Sequence, residues 1–218
     1  MIENKNINIV FLGSPGVGKG TVAGNIADNE NIIHLSTGSI FRAEIASQSE
    51  LGKKISAIVS SGKYVTDEIT NEIVRKKLIE LNKENKSVIL DGYPRTLDQA
   101  EFLDSLDFFK YRVIELVAPE DLIMKRLNGR RSCPKCKKGF HIEFMPSKNG
   151  ERCDNCNTKL ITRADDSIES IKVRMSVYNE QTKPLLDYYK NKNNLTVFDA
   201  SGKVEDIASN IKDKLGIK

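Results

Sequence analysis

Short, largely apolar runs alternate with stretches of helical spacing along most of this chain. Residues 9–12 (Ile-Val-Phe-Leu), 32–35, 87–90, 113–117 and 195–198 read as strands, the first of them buried on both faces. Between them the spacing predicts helices over 21–30, 40–47, 51–60, 67–81, 119–127 and 204–215, with a long one from Asp165 to about Lys190. Ser36-Thr37-Gly38-Ser39 is placed to cap the helix at 40, Thr66-Asp67-Glu68 reads as a helix start, and Pro119 lies near a first turn. Pro184 interrupts the long helix and is expected to bend it. Strands alternating with helices imply an α/β fold, a parallel sheet covered by helices on both faces, with ligands at the carboxyl ends of the strands. Only residues 129–166 break the pattern. They carry Gly, Pro, Asn and Lys with little helical periodicity.

The first strand runs into Gly13-Ser14-Pro15-Gly16-Val17-Gly18-Lys19-Gly20-Thr21. Gly13-x4-Gly18-Lys19 matches the phosphate-binding P-loop through its lysine. Glycines let several N–H groups converge on phosphate oxygens, and the following helix turns its positive end to the same anion. Lys19 adds a mobile full charge. The next residue is Gly20, so the hydroxyl that normally contacts Mg2+ is displaced to Thr21. The dinucleotide fingerprint G-x-G-x-x-G is met in no register. The strand at 87–90 ends in Asp91-Gly92-Tyr93-Pro94-Arg95. An aspartate there resembles the Walker B carboxylate near a nucleotide's Mg2+. Strand-end aspartates often only cap helices, so the weight comes from the P-loop upstream. His34, alone among apolar residues, reads as packed or hydrogen-bonded structure.

Composition narrows the class. At 218 residues, one domain with insertions can bury a core that needs no disulfides. A net charge of +4, from 34 Lys and Arg against 30 Asp and Glu, is too slight for a general nucleic-acid surface. No apolar run reaches membrane-spanning length, and Met1-Ile-Glu-Asn-Lys5 does not read as a signal peptide, which gives a cytoplasmic expectation. All four cysteines fall in the aberrant block, as Cys133-x2-Cys136-x16-Cys153-x2-Cys156. This spacing reads as a tetrahedral zinc site ahead of another metal, an iron–sulfur cluster or disulfides. A segment so poor in apolar residues could not fold unaided, and a structural metal worth on the order of 10–16 kcal/mol supplies what is missing.

Taken together, Gly13-x-Pro15-Gly16-x-Gly18-Lys19-Gly20-Thr21, Ser36-Thr37-Gly38, Asp91-Gly92-Tyr93-Pro94-Arg95-Thr96, Gly129-Arg130-Arg131 and Arg163-x-Asp165-Asp166 occur in an order that resembles the adenylate kinases of the long, zinc-lid type. The likeness runs over essentially the whole chain. It implies a P-loop NTPase-like core (1–35, 66–128 and 167–218), an inserted AMP-binding domain at 36–65 and a zinc-bearing lid at 129–166. The reaction implied is reversible transfer of the terminal phosphoryl of ATP to AMP, giving two ADP. By this likeness Gly16, Val17, Gly18, Lys19, Gly20 and Thr21 wrap the ATP phosphates. Arg126, Arg130, Gly139, Phe140 and Gly202 also serve ATP, with Phe140 packing near the adenine and Gly202 offering backbone to it. AMP falls to Thr37, Arg42, Lys63, Tyr64, Val65, Gly92, Tyr93, Pro94, Arg95 and Gln99. Arg163 and Arg174 also serve AMP and clamp phosphates when the lid shuts, and Asp91 serves catalysis beside Lys19, Arg95, Arg130, Arg163 and Arg174. The likeness further implies structural Zn2+ on the four cysteines, Mg2+ with ATP, ATP and AMP or ADP as partners, neither nucleic acid nor membrane, and a monomer.

Four departures from that pattern stand out. Ser39 replaces an acid, Val22 a polar residue, Gly139 a hydroxyl-bearing neighbour of Phe140, and Lys137 and Asn157 the glycines that often follow each C-x-x-C pair. Two other readings stay open. A GTP:AMP phosphotransferase of the same family would look similar, because the donor base is read largely through backbone. A zinc ribbon gripping nucleic acid through Lys135–Lys138 would leave the P-loop and Asp91 unexplained.

Overall fold

The computed structural model describes residues 7–29 and 32–217, so Met1–Lys5 and Glu30, where the spacing ends the first helix, lie outside the described residues. Five parallel strands form the central sheet: β1 (Asn8–Leu12), β2 (Ile32–Ser36), β3 (Ser87–Asp91), β4 (Tyr111–Val117) and β7 (Leu195–Asp199), in the order β2-β3-β1-β4-β7. This is the expected sheet. Its register is continuous at the functional end, where Phe11 pairs Asp91 and Ser36 pairs Asp91 from the other side.

Alternation within β1 divides the core in two. Val10 and Leu12 face a cluster with Val74, Leu78, Leu103, Leu185 and Tyr189, brought by α4 (Asp67–Lys83), α5 (Leu97–Asp104) and α8 (Pro184–Asn191). Ile9 and Phe11 face the opposite cluster with Val22, Ile26, Ile207 and Ile211, from α1 (Lys19–Asn29) and α9 (Val204–Leu215). Val22 is 1% exposed, so an apolar side chain at this departure fills core volume. Asn8 opens β1 and ties the two neighbouring strands at that end, donating to Lys110 O and accepting from Val88 N.

Two excursions leave the sheet. The first carries α2 (Thr37–Ala46) and α3 (Glu50–Ser60). Ser36 caps α2 by accepting from Ser39 N, so this helix begins three residues ahead of the expected start. The second follows α6 (Glu120–Asn128) and holds a hairpin of β5 (Arg130–Ser132) and β6 (Gly139–His141). Neither this hairpin nor α5 is visible in the spacing.

The expected long helix from Asp165 is divided. A 3-10 turn at Ala164–Asp166 precedes α7 (Ile168–Val177), and a π turn at Tyr178–Thr182 joins α7 to α8. Pro184 has no N–H for the carbonyl four residues back; the chain widens instead, with Lys183 N donating to Tyr178 O. Among the described residues, no helix is long and apolar enough to cross a membrane.

Candidate active site

The loop between β1 and α1 is shaped by close approach to the sheet. Gly13 has φ +135°, and a Cβ there would stand 2.5 Å from Leu116 O, so only glycine lets the loop leave β1 this way. Lys19 folds back over the loop, donating to Gly13 O at 2.6 Å and Ser14 O at 3.0 Å. Burial lowers its ammonium to about 8, opposed by the charge of Asp91 and helped by those of Arg95, Arg174 and Arg130. Gly20 faces Asp91: a Cβ there would be 3.1 Å from Asp91 Oδ2. Thr21 is exposed in the first turn of α1. Arg126 braces the loop from α6, donating to Val17 O at 2.7 Å and Ala200 O at 2.8 Å. Gly202, two residues beyond Ala200, is exposed.

Asp91 ends β3 beside the loop. Burial works against its charge, but the bond to His34 Nε2 (3.3 Å) and the nearby Lys19 and Arg95 outweigh it, holding the carboxyl at about 2. His34 is thus hydrogen-bonded structure, and its partner belongs to the site. Gly92 follows with φ +78°; a Cβ would meet the Arg95 guanidinium at 2.7 Å. Its carbonyl accepts from Thr37 Oγ1 (2.8 Å) and Arg95 Nε (2.7 Å), binding the start of α2 to the arginine loop.

A cavity opens here, lined by Thr37, Arg42, Lys63, Tyr64, Val65, Gly92, Arg95, Gln99 and Arg174, with Asp165 at its edge. Arg95 stacks on the Tyr64 ring with its guanidinium carbon 4.7 Å from the centroid. Gln99 shows little free amide: its Oε1 accepts from Arg95 N and its Nε2 donates to Asp67 Oδ1. Tyr93, fully buried, donates to Asn71 Oδ1 and packs into the core rather than lining the cavity. Ser39 accepts from Arg42 at 3.3 Å, so the hydroxyl at this departure steers a guanidinium.

Across the cavity stands a network of arginines and two aspartates. Arg130 holds Asp166 through both Nε and Nη2, which keeps its guanidinium charged despite burial. Arg174 reaches Asp165 Oδ2 and Asp166 Oδ1, each at 3.3 Å. Burial and then Arg130 lower Arg174 to about 10; burial, Arg130 and Arg42 lower Arg163 to about 9. Arg163 Nε is buried without a hydrogen-bond partner. Like charges 4 Å apart at an effective dielectric of 20 repel by about 4 kcal/mol. Three carboxylates, Asp91, Asp165 and Asp166, cannot neutralise the six cations Arg42, Arg130, Arg163, Arg174, Lys19 and Arg95. The arrangement is built for a polyanion.

In the second excursion the Sγ atoms of Cys133, Cys136, Cys153 and Cys156 all lie within 4.8 Å of one another. Tetrahedral thiolates on zinc stand about 3.8 Å apart, from a metal–sulfur distance of about 2.3 Å. The four cysteines are therefore positioned to bind one metal ion. Lys137 and Asn157 take φ of +65° and +55°, completing the same turn after each pair without glycine. Phe140 is 4% exposed and packs with Cys133 and Cys153, which have few other apolar neighbours in this excursion. Gly139 has open space around it.

The family model described as adenylate kinase matches residues 11–194. The adenylate kinase of Mycoplasma mobile is 50% identical over 211 residues, covering 95% of this chain and 97% of its own length. That of Mycoplasmopsis pulmonis is 50% identical over 210 residues (96% and 98%), and that of Treponema denticola 43% over 209 (95% and 99%). The chain belongs to the adenylate kinase family. The enzyme's fold brings the loop at Gly13–Thr21, Asp91–Arg95 and the arginines of three separate elements to one end of the sheet. Thr182, which donates to Arg95 O, and Asp67, which accepts from Gln99 and Thr96, support this adenylate kinase family site and are not singled out for it by sequence reasoning. Thr182 stands directly before Lys183-Pro184, and that proline was the available signal.

Proposed function

We propose that this enzyme carries the terminal phosphoryl of ATP to AMP, with ATP on the Lys19 loop and AMP in the cavity between Thr37 and Arg95. One observation carries the reading. The phosphate loop abuts the cavity: Gly20, next to Lys19, faces Asp91 with a Cβ position 3.1 Å from its Oδ2, and Gly92, Arg95 and Arg174 line the cavity that begins there, the two guanidinium charges reaching Lys19. Two phosphate-bearing sites therefore meet at one point, as in-line transfer between two nucleotides requires. The chain does little covalent chemistry. Lys19 and Arg130 neutralise the donor phosphates, Arg42, Arg95, Arg163 and Arg174 those of the acceptor, and the developing charge falls between them. Enclosure by the two excursions excludes water, which strengthens every one of these contacts and prevents hydrolysis of ATP.

In this reading residues 36–65 form the AMP-binding domain, 129–166 the lid and the remainder the core. Zn2+ on the four thiolates would cross-link the lid, where the apolar filling amounts to little more than Phe140 and Leu160. Mg2+ would accompany ATP, with the ionised Asp91 as the nearby carboxylate. The enzyme acts on adenine nucleotides as a cytoplasmic monomer. A coupled assay with ATP, AMP and Mg2+ tests the reading. Stoichiometric ADP is expected, and faster turnover with GTP than with ATP overturns the choice of donor.

A further inference from the structure

The Thr182 hydroxyl is 5% exposed as a residue and lies at the end of the π turn that Pro184 imposes between α7 and α8. Its Oγ1 is 2.8 Å from Arg95 O and 2.8 Å from Tyr64 Oη. A carbonyl can only accept, so the Thr182 proton goes to Arg95 O. Tyr64 must then be the donor to Thr182. The result is a directed chain, Tyr64 O–H to Thr182 O–H to Arg95 C=O, closed on itself by the Arg95 guanidinium lying over the Tyr64 ring. These three residues come from three parts of the chain: the end of the first excursion, the loop after β3, and the α7–α8 joint. A second hydroxyl on α7 repeats the device. Ser170, 6% exposed, donates to Ser60 O at 2.9 Å.

We infer that Thr182 is a positioning residue that latches Tyr64 to the backbone of Arg95, and so fixes the guanidinium that meets the acceptor phosphate. The inference rests on the proposed ATP:AMP reaction and deepens its acceptor side. Arg95 is held at Nε by Gly92 O and on its face by the Tyr64 ring, and the second support is in place only while Tyr64 stays docked. The π turn matters because an uninterrupted helix would carry residue 182 along a different helical path. The register shift spends one backbone bond to deliver this hydroxyl, a pattern seen where helices serve function.

The test compares Thr182→Val, Thr182→Ser, Tyr64→Phe and the double variant Thr182→Val/Tyr64→Phe by steady-state kinetics, with each nucleotide varied in turn. Thr182→Val keeps the shape and removes the hydroxyl; KM for AMP is expected to rise about tenfold, as for one lost buried hydrogen bond. KM for ATP should stay within twofold, and Thr182→Ser should restore the wild-type value. Tyr64→Phe removes the other end of the same chain, so the double variant should be no worse than Thr182→Val alone. Melting temperatures separate a latch from a mere packing role. A Thr182→Val protein that melts lower while KM for AMP is unchanged overturns the inference, as do additive effects in the double variant or an equal rise of both KM values. Wild-type turnover of ATP with AMP tests the proposed function itself, and the split among variants tests the latch alone.

Discussion

The two excursions from the sheet are both short and both close over the same end of it, yet they are held together by different physics. Residues 37–65 fold around Phe41, Ile55 and Val65, with Ile45, Leu51, Ile58 and Ile69 packed against them. Residues 130–161 have in place of such a core Cys133, Phe140 and Cys153, with Cys156 and Leu160 beside them. The first buries apolar area as any small helical unit does, at about 25 cal/mol per Å2. The second has too little to bury and relies on four thiolates converging. One excursion therefore has an apolar core of its own, and the other has in its place four cysteines positioned to bind a metal ion. Their shared task does not impose a shared construction.

Four perturbations break or sharpen this contrast. The largest effect is expected from Arg130→Ala at the start of β5, which removes a charge from the proposed donor side and leaves the buried Asp166 paired with Arg174 alone. Turnover should fall about 10^3-fold or more, as for arginines that stabilise phosphoryl transfer; a loss below tenfold in steady-state assays contradicts the assigned role. Next, chelating the metal should lower turnover about 10^2-fold by misplacing Arg130 and Arg163. Hydrogen exchange should then show amides of 130–161 losing protection while those of 37–65 keep it. Equal loss in both segments erases the distinction. Third, Ile55→Ala, at a site 1% exposed, should cost about 2–5 kcal/mol within the helical excursion and raise KM for AMP several-fold, with the exchange map reversed.

The smallest effect is on pH dependence. Lys19 titrates near 8 in the folded enzyme, below its ordinary value, because burial disfavours the ammonium. Between about pH 8 and the ordinary lysine range near 10.4, the unfolded chain binds the proton that the native one has released. Stability contributed by this group therefore rises with pH across that window. Affinity for the donor moves the other way, since the neutral amine no longer pairs with phosphate. The kcat/KM for ATP should bend downward above about pH 8, and Lys19→Met should show no such bend at its lower activity.

Much of this was legible before any coordinates. The strands stood out as apolar runs because a parallel sheet is covered on both faces. The phosphate loop, Asp91 and the cysteine pairs carry spacing that few other structures need. What escaped is local and short. α5 has eight residues, and its Leu97, Ala100 and Leu103 spacing is too brief to declare a period; only Thr96, accepting from Gln99 N, marks its start. The β5–β6 hairpin has three-residue strands whose pairing is fixed by the knuckle, so no alternation develops. Tyr93, Gln99 and Phe140 were matched to ligand roles by motif. That their side chains also engage Asn71, Asp67 and the cysteines was not legible, because a motif records position in the chain and not which face a rotamer turns to.

Arg163 Nε, sealed from solvent and reaching no oxygen, has a further consequence. An N–H in that condition raises the free energy of the unliganded enzyme by about 1–3 kcal/mol. In the proposed reaction, a nucleotide oxygen that arrives there cures a defect as well as forming a bond. Part of the grip on substrate is thus stored beforehand as discomfort in the protein, and substituting an apolar side chain for that guanidinium would make the resting molecule steadier while making it a poorer catalyst.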